Sequence, residues 1–172
     1  EAFRKLAKDN LVVIVPWKGV TVKADTPEEI VALYQCREVM EGLGARLCAR
    51  HATPEQVAEL KELCKEMHAI EDATARVEVN SRFHSMIAQF SGNDRVVDYL
   101  ADFRERVNRD MYLSSFNAVR THDCDDEHDH IVDAIERHDE VAAENAMRKH
   151  INNAFIFKRA NAELQDKNLN EV

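Results

Sequence analysis

An all-α bundle of six to seven helices, with a short helix and a β-hairpin ahead of it, is the fold the sequence predicts. Three observations lead there. Four glycines and three prolines interrupt 172 residues, too few turn formers for an all-β fold. Apolar residues make up 45% of the chain and charged residues 32%, the balance of a helix-rich globular protein. From residue 25 onward, apolar residues recur at intervals of three and four, the period of a buried helix face. A chain of this length buries roughly 70% of its unfolded surface and needs no disulfide staples.

Residues 2–9 (A-F-R-K-L-A-K-D) read as the end of a helix, with Phe3, Leu6 and Ala7 on one side and Asn10 as C-cap. Two β-branched runs, 11–15 and 20–22, flank a P-W-K-G turn and predict a small hairpin. A helix followed at once by a basic-tipped hairpin is the second half of a winged helix-turn-helix; an ordinary hairpin packed on the bundle is the alternative. Asp25-Thr26-Pro27-Glu28-Glu29 then combines a capping residue, a proline for the first turn and acids at the positive end of the helix dipole. The helix it opens runs to about His51, with Ile30, Leu33, Tyr34, Arg37, Met40, Leu43 and Leu47 at helical spacing. Thr53-Pro54-Glu55 opens a second by the same device, turning Val57, Leu60, Leu63, Cys64 and Met67 inward. A third covers roughly 73–90 and stops at Ser91-Gly92-Asn93. A fourth runs from Asp94 to about Tyr112, and a break would fall near Ser114-Ser115. A fifth spans about 121–137 and a sixth about 139–163, followed by a polar tail expected to fray. The product is an antiparallel bundle.

The net charge of −9 is uneven. Residues 1–23 hold five basic residues against two acids, so the acidic excess lies in the rest, and only the leader suits a polyanion. No apolar run approaches ~18 residues and no signal-peptide core is present, against membrane insertion and secretion. Cys36, Cys48, Cys64 and Cys124 form no C-x-x-C pair and read as buried, reduced thiols of a cytoplasmic protein. The first residue, Glu1, falls inside a helical stretch, from which a longer polypeptide is expected.

Three histidines lie on the apolar stripes of three different helices. His84 shares a face with Val77, Asn80 and Ile87; His128 with Cys124, Ile131 and Ile135; His150 with Ala143, Met147, Ala154 and Phe157. Three neutral imidazoles converging from separate helices suit a divalent transition metal with open positions. Core histidines that merely hydrogen-bond are the alternative. Asn80, one turn before His84, offers a neutral amide oxygen where a carboxylate would complete a four-ligand set. That weakens metal affinity and leaves the site more positive toward a carboxylate-bearing ligand. His51, His68, His122, His130 and His138 lie off these stripes or near helix ends and read as surface residues.

Other chemistry is poorly supported. Glu127-x-x-His130 is a lone E-x-x-H where a di-iron bundle needs two, and no H-E-x-x-H, P-loop or G-x-S-x-G string occurs. A metal-dependent hydrolase using the three histidines, with Glu127 or Asp129 as base, is the competing reading. Against it, no acid is placed on an inward face near the histidines.

Several strings resemble a known family. Asn80-x3-His84, I-A-Q-F-S-G-N (87–93), E-H-x2-I-x2-A-I (127–135), Asp139 and M-x2-H-I (147–151) look like the FCD effector domain of FadR-type GntR transcriptional regulators. Y-x2-R-x3-E (34–41) resembles its opening helix, and E-A-F-R-K-L-A-K-D-N-L…P-W-K-G-V-T-V resembles the recognition-helix end and wing. The resemblance implies residues 1–24 as a remnant of a winged helix-turn-helix domain, 25–165 as an FCD-like effector domain and 166–172 as a polar tail. It implies a homodimeric, cytoplasmic regulator that binds operator DNA. It also implies a metal, zinc or nickel, held by Asn80, His84, His128 and His150. Arg37 would meet the carboxylate of a small organic acid, and Arg4, Lys5 and Lys18 would lie toward DNA. The family's aspartate is Asn80 here, and most of the DNA-binding domain is absent from the chain.

Overall fold

A computed structural model describes residues 2–8, 12–22, 26–101 and 118–170. The chain forms two compact units, residues 1–33 and 34–172. In the first, α1 (Ala2–Lys8) precedes β1 (Val12–Val15) and β2 (Gly19–Val22), which pair antiparallel with Val12 opposite Val22 and Val15 opposite Gly19. The turn is closed by the Lys18 N–H donating to the Val15 carbonyl at 3.0 Å. Trp17 (φ 65°) and Gly19 (φ 95°) both take left-handed backbone there, and the Trp17 ring is fully exposed. The expected helix and hairpin are thus present. Asn10 and Asp25 lie outside the described residues.

Helix α2 (Pro27–His51) starts in the first unit and continues into the second. Its start uses Thr26 as cap: Thr26 Oγ1 accepts from the Glu29 N–H at 3.2 Å, and Glu29 Oε2 accepts from the Thr26 N–H at 3.0 Å. Helix α3 (Pro54–Ala69) repeats this reciprocal box with Thr53 and Gln56, and all five residues expected inward are buried. Helix α4 (Ala73–Phe90) is capped by Asp72 and ends at Ser91-Gly92, where Gly92 takes φ 66°. Asn93 Oδ1 then accepts from the Arg95 and Val96 amides to start α5, helical through residue 101, the last one described there. The expected end near Tyr112 and the break at Ser114-Ser115 lie outside the described residues. Helices α6 (Ala118–Glu136) and α7 (Glu140–Asn170) complete the bundle.

Two ends differ from expectation. Helix α6 is already helical at Ala118, the first residue described there, ahead of the start expected at about residue 121. Helix α7 runs seven residues past 163, through most of the polar stretch expected to fray, because 140–170 contains no glycine or proline and many strong helix formers. Short links between α2 and α3, α3 and α4, α4 and α5, and α6 and α7 fold the chain back on itself. The interior is built on Phe83, Leu60, Met67, Ile87, Ile131, Ile135, Met147 and Ile151, all essentially without exposure, with α3 packing on α4 and α6, and α6 on α7. Cys48 and Cys64 are buried as expected and burial pushes both thiols up to about 12, but Cys36 is exposed and Cys124 half-buried.

Two glycines of α2 make opposite demands. A methyl on Gly44 would meet Val96 Cγ1 at 3.5 Å, ordinary contact, whereas one on Gly42 would meet Arg148 Cγ at 2.7 Å. Arg148 is held by Glu38 (2.9 Å), so it yields only by loosening that pair. Gly44→Ala should therefore stabilise by about 0.5–1 kcal/mol through reduced unfolded-state freedom, and Gly42→Ala should not. Urea unfolding of both variants checks this; equal gains would mean Arg148 does not constrain α2.

Candidate metal centre

The 3.6-residue period carries three histidines to one place. α4 supplies His84, α6 His128 and α7 His150; one ring nitrogen from each lies within 4.8 Å of the other two. Ring centroids stand 5.2 Å apart for His84–His150, 4.6 Å for His128–His150 and 5.7 Å for His84–His128. His128 and His150 are buried, and the His84 side chain keeps 10% of its surface. The Phe83 ring, fully buried, packs 4.6 Å from His128 and 5.6 Å from His84, walling one side of the cluster.

Two of the three rings are held from behind by carboxylates. Glu41 Oε2 of α2 stands 2.5 Å from His84 Nδ1, and Glu127 Oε2 accepts from His150 Nδ1 at 2.8 Å. Both His84 ring nitrogens are buried and make no hydrogen bond among the described residues, Nδ1 lying close to Glu41 Oε2 without hydrogen-bond alignment. An ionised carboxylate only accepts, so the proton on His150 Nδ1 leaves that ring's Nε2 lone pair for another partner, and Glu41 is placed to do the same for His84. That is the arrangement imidazoles adopt when a cation takes the other nitrogen. The donor set fits zinc or nickel.

Glu41 also accepts from Arg37 Nε at 2.8 Å, with both side chains buried. Burial by itself would raise the Glu41 carboxyl, but the Arg37 guanidinium and the His84 ring outweigh it and hold it far below the usual carboxylate range. Burial would likewise lower Arg37, yet Glu41 and Tyr34 raise it, and its guanidinium sits 5.1 Å from the Tyr34 ring centroid. Arg37 is therefore chained to His84 through Glu41. Asn80 is half-buried one turn before His84, with Oδ1 inside the protein. Cys124 Sγ lies 3.8 Å from His128 Nε2, one turn ahead of it on α6.

The expectation that no acid faces the histidines is corrected here: Glu41 and Glu127 both do, because each can neutralise a ring N–H at close range. Glu127 is spent on His150 and on Asn153 Nδ2 (2.7 Å). Asp129 instead pairs with His68 at 2.9 Å, and that hydrogen bond raises the His68 ring despite some burial. His51, His68, His130 and His138 are exposed as expected; the His122 side chain lies outside the described ones. His138 has a structural task as well, its Nδ1 bonding the Ala49 carbonyl at 2.7 Å. A pair that the sequence reading missed, Arg76 to Asp125 at 2.6 and 3.0 Å, clamps α4 to α6 three residues before His128. Arg4, Lys5 and Lys18 belong to the first unit, where all three are exposed, on α1 and at the hairpin turn.

A family model for the FCD domain matches residues 32–153. Among curated proteins, the HTH-type transcriptional regulator YdhC of Bacillus subtilis is 24% identical over 156 residues, covering 88% of this chain and 70% of that protein. The HTH-type transcriptional repressor NanR of Escherichia coli is 31% identical over 134 residues, 73% of this chain; the chain spans about half of NanR, 49% of its length. Among solved structures, E. coli McbR/YncC shares the fold with a TM-score of 0.82 at 15% identity, covering 93% of this chain and 82% of that one. Streptococcus agalactiae GntR aligns with a TM-score of 0.60 at 26% identity, over 90% and 78%.

Proposed function

The chain belongs to the FCD domain family of GntR-type transcriptional regulators, and on that premise we propose that it is the effector-sensing part of a ligand-responsive, DNA-binding regulator. Residues 25–165 form the effector domain, 1–24 the end of a winged helix-turn-helix domain and 166–172 its tail. His84, His128 and His150 hold a divalent transition metal, zinc or nickel, with the Asn80 carbonyl oxygen beside it. Bound there, the cation supplies a Lewis-acid anchor for one oxygen of a small carboxylate. Arg37 gives the second, charge-assisted anchor, and Glu41 holds both Arg37 and His84 in place. In a cytoplasmic homodimer, effector binding biases the spacing of the two DNA-binding domains by its preference between two states. Arg4, Lys5 and Lys18 contact operator phosphates.

The observation that carries this reading is the convergence of three imidazoles with one nitrogen each within 4.8 Å of the others, both nitrogens of the buried His84 ring making no hydrogen bond among the described residues although Glu41 Oε2 lies 2.5 Å from Nδ1. A binding role is favoured over hydrolysis because Glu127 and Asp129, the base candidates, are engaged by His150 and His68.

Elemental analysis of the tag-free chain should find about one zinc or nickel ion per chain, lost in His84→Ala. A saturating small carboxylate, at a hundred times its Kd, adds about 2.7 kcal/mol to the stability of the metal-loaded protein. For a domain of this size that raises Tm by roughly 5–10 °C. His84→Ala should show no such shift. Absence of metal after incubation with zinc and nickel, with no carboxylate response, would sink the proposal.

A further inference from the structure

The three histidines leave the cation without an anionic donor, since Asn80 is a neutral amide. Beside the cluster stands one group that can supply it. Cys124 precedes His128 by one turn of α6, the spacing by which Asn80 precedes His84 on α4. Its thiol is reduced and half-buried. Cys124 Sγ lies 3.8 Å from His128 Nε2, and its sulfur, a Glu127 oxygen and a His150 nitrogen fall within 4.8 Å of one another. Around a tetrahedral zinc with a sulfur at ~2.3 Å and a nitrogen at ~2.0–2.1 Å, the sulfur–nitrogen edge is about 3.6 Å. The observed Cys124–His128 edge is within about 0.2 Å of that value, whereas Cys124 does not lie within 4.8 Å of all three histidine nitrogens at once, so a shared cation has to draw the thiol inward. A separate second cation between Cys124, Glu127 and His150 is disfavoured, because Glu127 is already bonded to His150 and Asn153 and His150 is shared.

Resting on the metal centre proposed above, we propose that Cys124 is a thiolate ligand of the same cation, completing a His84–His128–His150–Cys124 set. On binding, a sulfur–metal bond forms and the thiol proton passes to the buffer. The sulfur does what Asn80 cannot: it lowers the charge of the centre by one unit, and it selects thiophilic ions such as zinc over magnesium or manganese. A carboxylate effector then takes a fifth position, which zinc accepts.

Cobalt(II) titration of the whole chain, followed by absorption, tests this. Wild type should develop a sulfur-to-metal charge-transfer band in the near ultraviolet. Cys124→Ser should bind cobalt without that band, and its Kd for zinc should rise at least ~100-fold, the upper end of what losing an outer partner of a ligand costs. Cys36→Ser, which removes the exposed thiol, should change neither. Cobalt binding by wild type without the band, or a band that survives in Cys124→Ser, overturns the thiolate ligand and leaves the histidine centre standing. No cobalt or zinc binding by wild type overturns both. Because the decisive spectrum is that of wild type, a Cys124→Ser chain that fails to fold does not remove the test.

Discussion

Replacing Glu41 by Gln should destabilise the metal-free protein by about 3–5 kcal/mol, because it leaves the buried Arg37 guanidinium without its carboxylate. For a domain of this size that lowers Tm by roughly 6–20 °C. The amide also presents a donor where His84 Nδ1 needs an acceptor, so zinc affinity should fall about 10–100-fold. The pH dependence follows from the depressed carboxyl of Glu41. Its contribution is fully present above the ordinary carboxylate range, declines progressively as pH falls below that range, and is gone once pH reaches the depressed folded value. The stability gap between wild type and Glu41→Gln should therefore stay constant from neutral pH down to the ordinary carboxylate range and narrow progressively below it. Urea unfolding of the apo proteins at several pH values checks it. A gap under ~1 kcal/mol at neutral pH would show that Arg37 finds another partner or water.

Phe83→Ala should cost about 3–5 kcal/mol, the range for truncating a fully buried aromatic ring. Phe83 also fills the space against His128 and His84, so its removal leaves two prospective ligands free to change rotamer. Chemical unfolding should show the stability loss, and zinc titration a weaker site. Phe83→Leu should recover most of the stability by refilling volume. If zinc binding in Phe83→Ala is unchanged at full stability cost, the histidines are positioned by Glu41, Glu127 and the helices alone.

Much of this was readable from residue spacing. The Thr26 and Thr53 starts, the five inward residues of α3 and the inward facing of His84, His128 and His150 all follow from short-range chemistry and helical period. Glu41 was not recognised as the partner of His84, because 43 residues separate them and an Arg–Glu pair at i, i+4 normally reads as solvated surface. A signal did exist: Arg37 falls on the apolar stripe of α2, and Glu41 shares its face. Arg76–Asp125 gave no such signal, since one residue sits in the first turn of α4 and the other within an acid-rich run on α6. Cys36, expected inside, is outside because the buried face of α2 passes through Leu33, Tyr34 and Arg37.

What the sequence by itself determined is which residues form helices and which face of each is apolar. Both depend on neighbours within four positions, and caps and period encode them directly. Only the tertiary structure decided which polar groups meet on those faces. Glu41 behind His84 and Glu127 behind His150 owe their places to burial, where an unpaired charge or imidazole is too costly to leave alone.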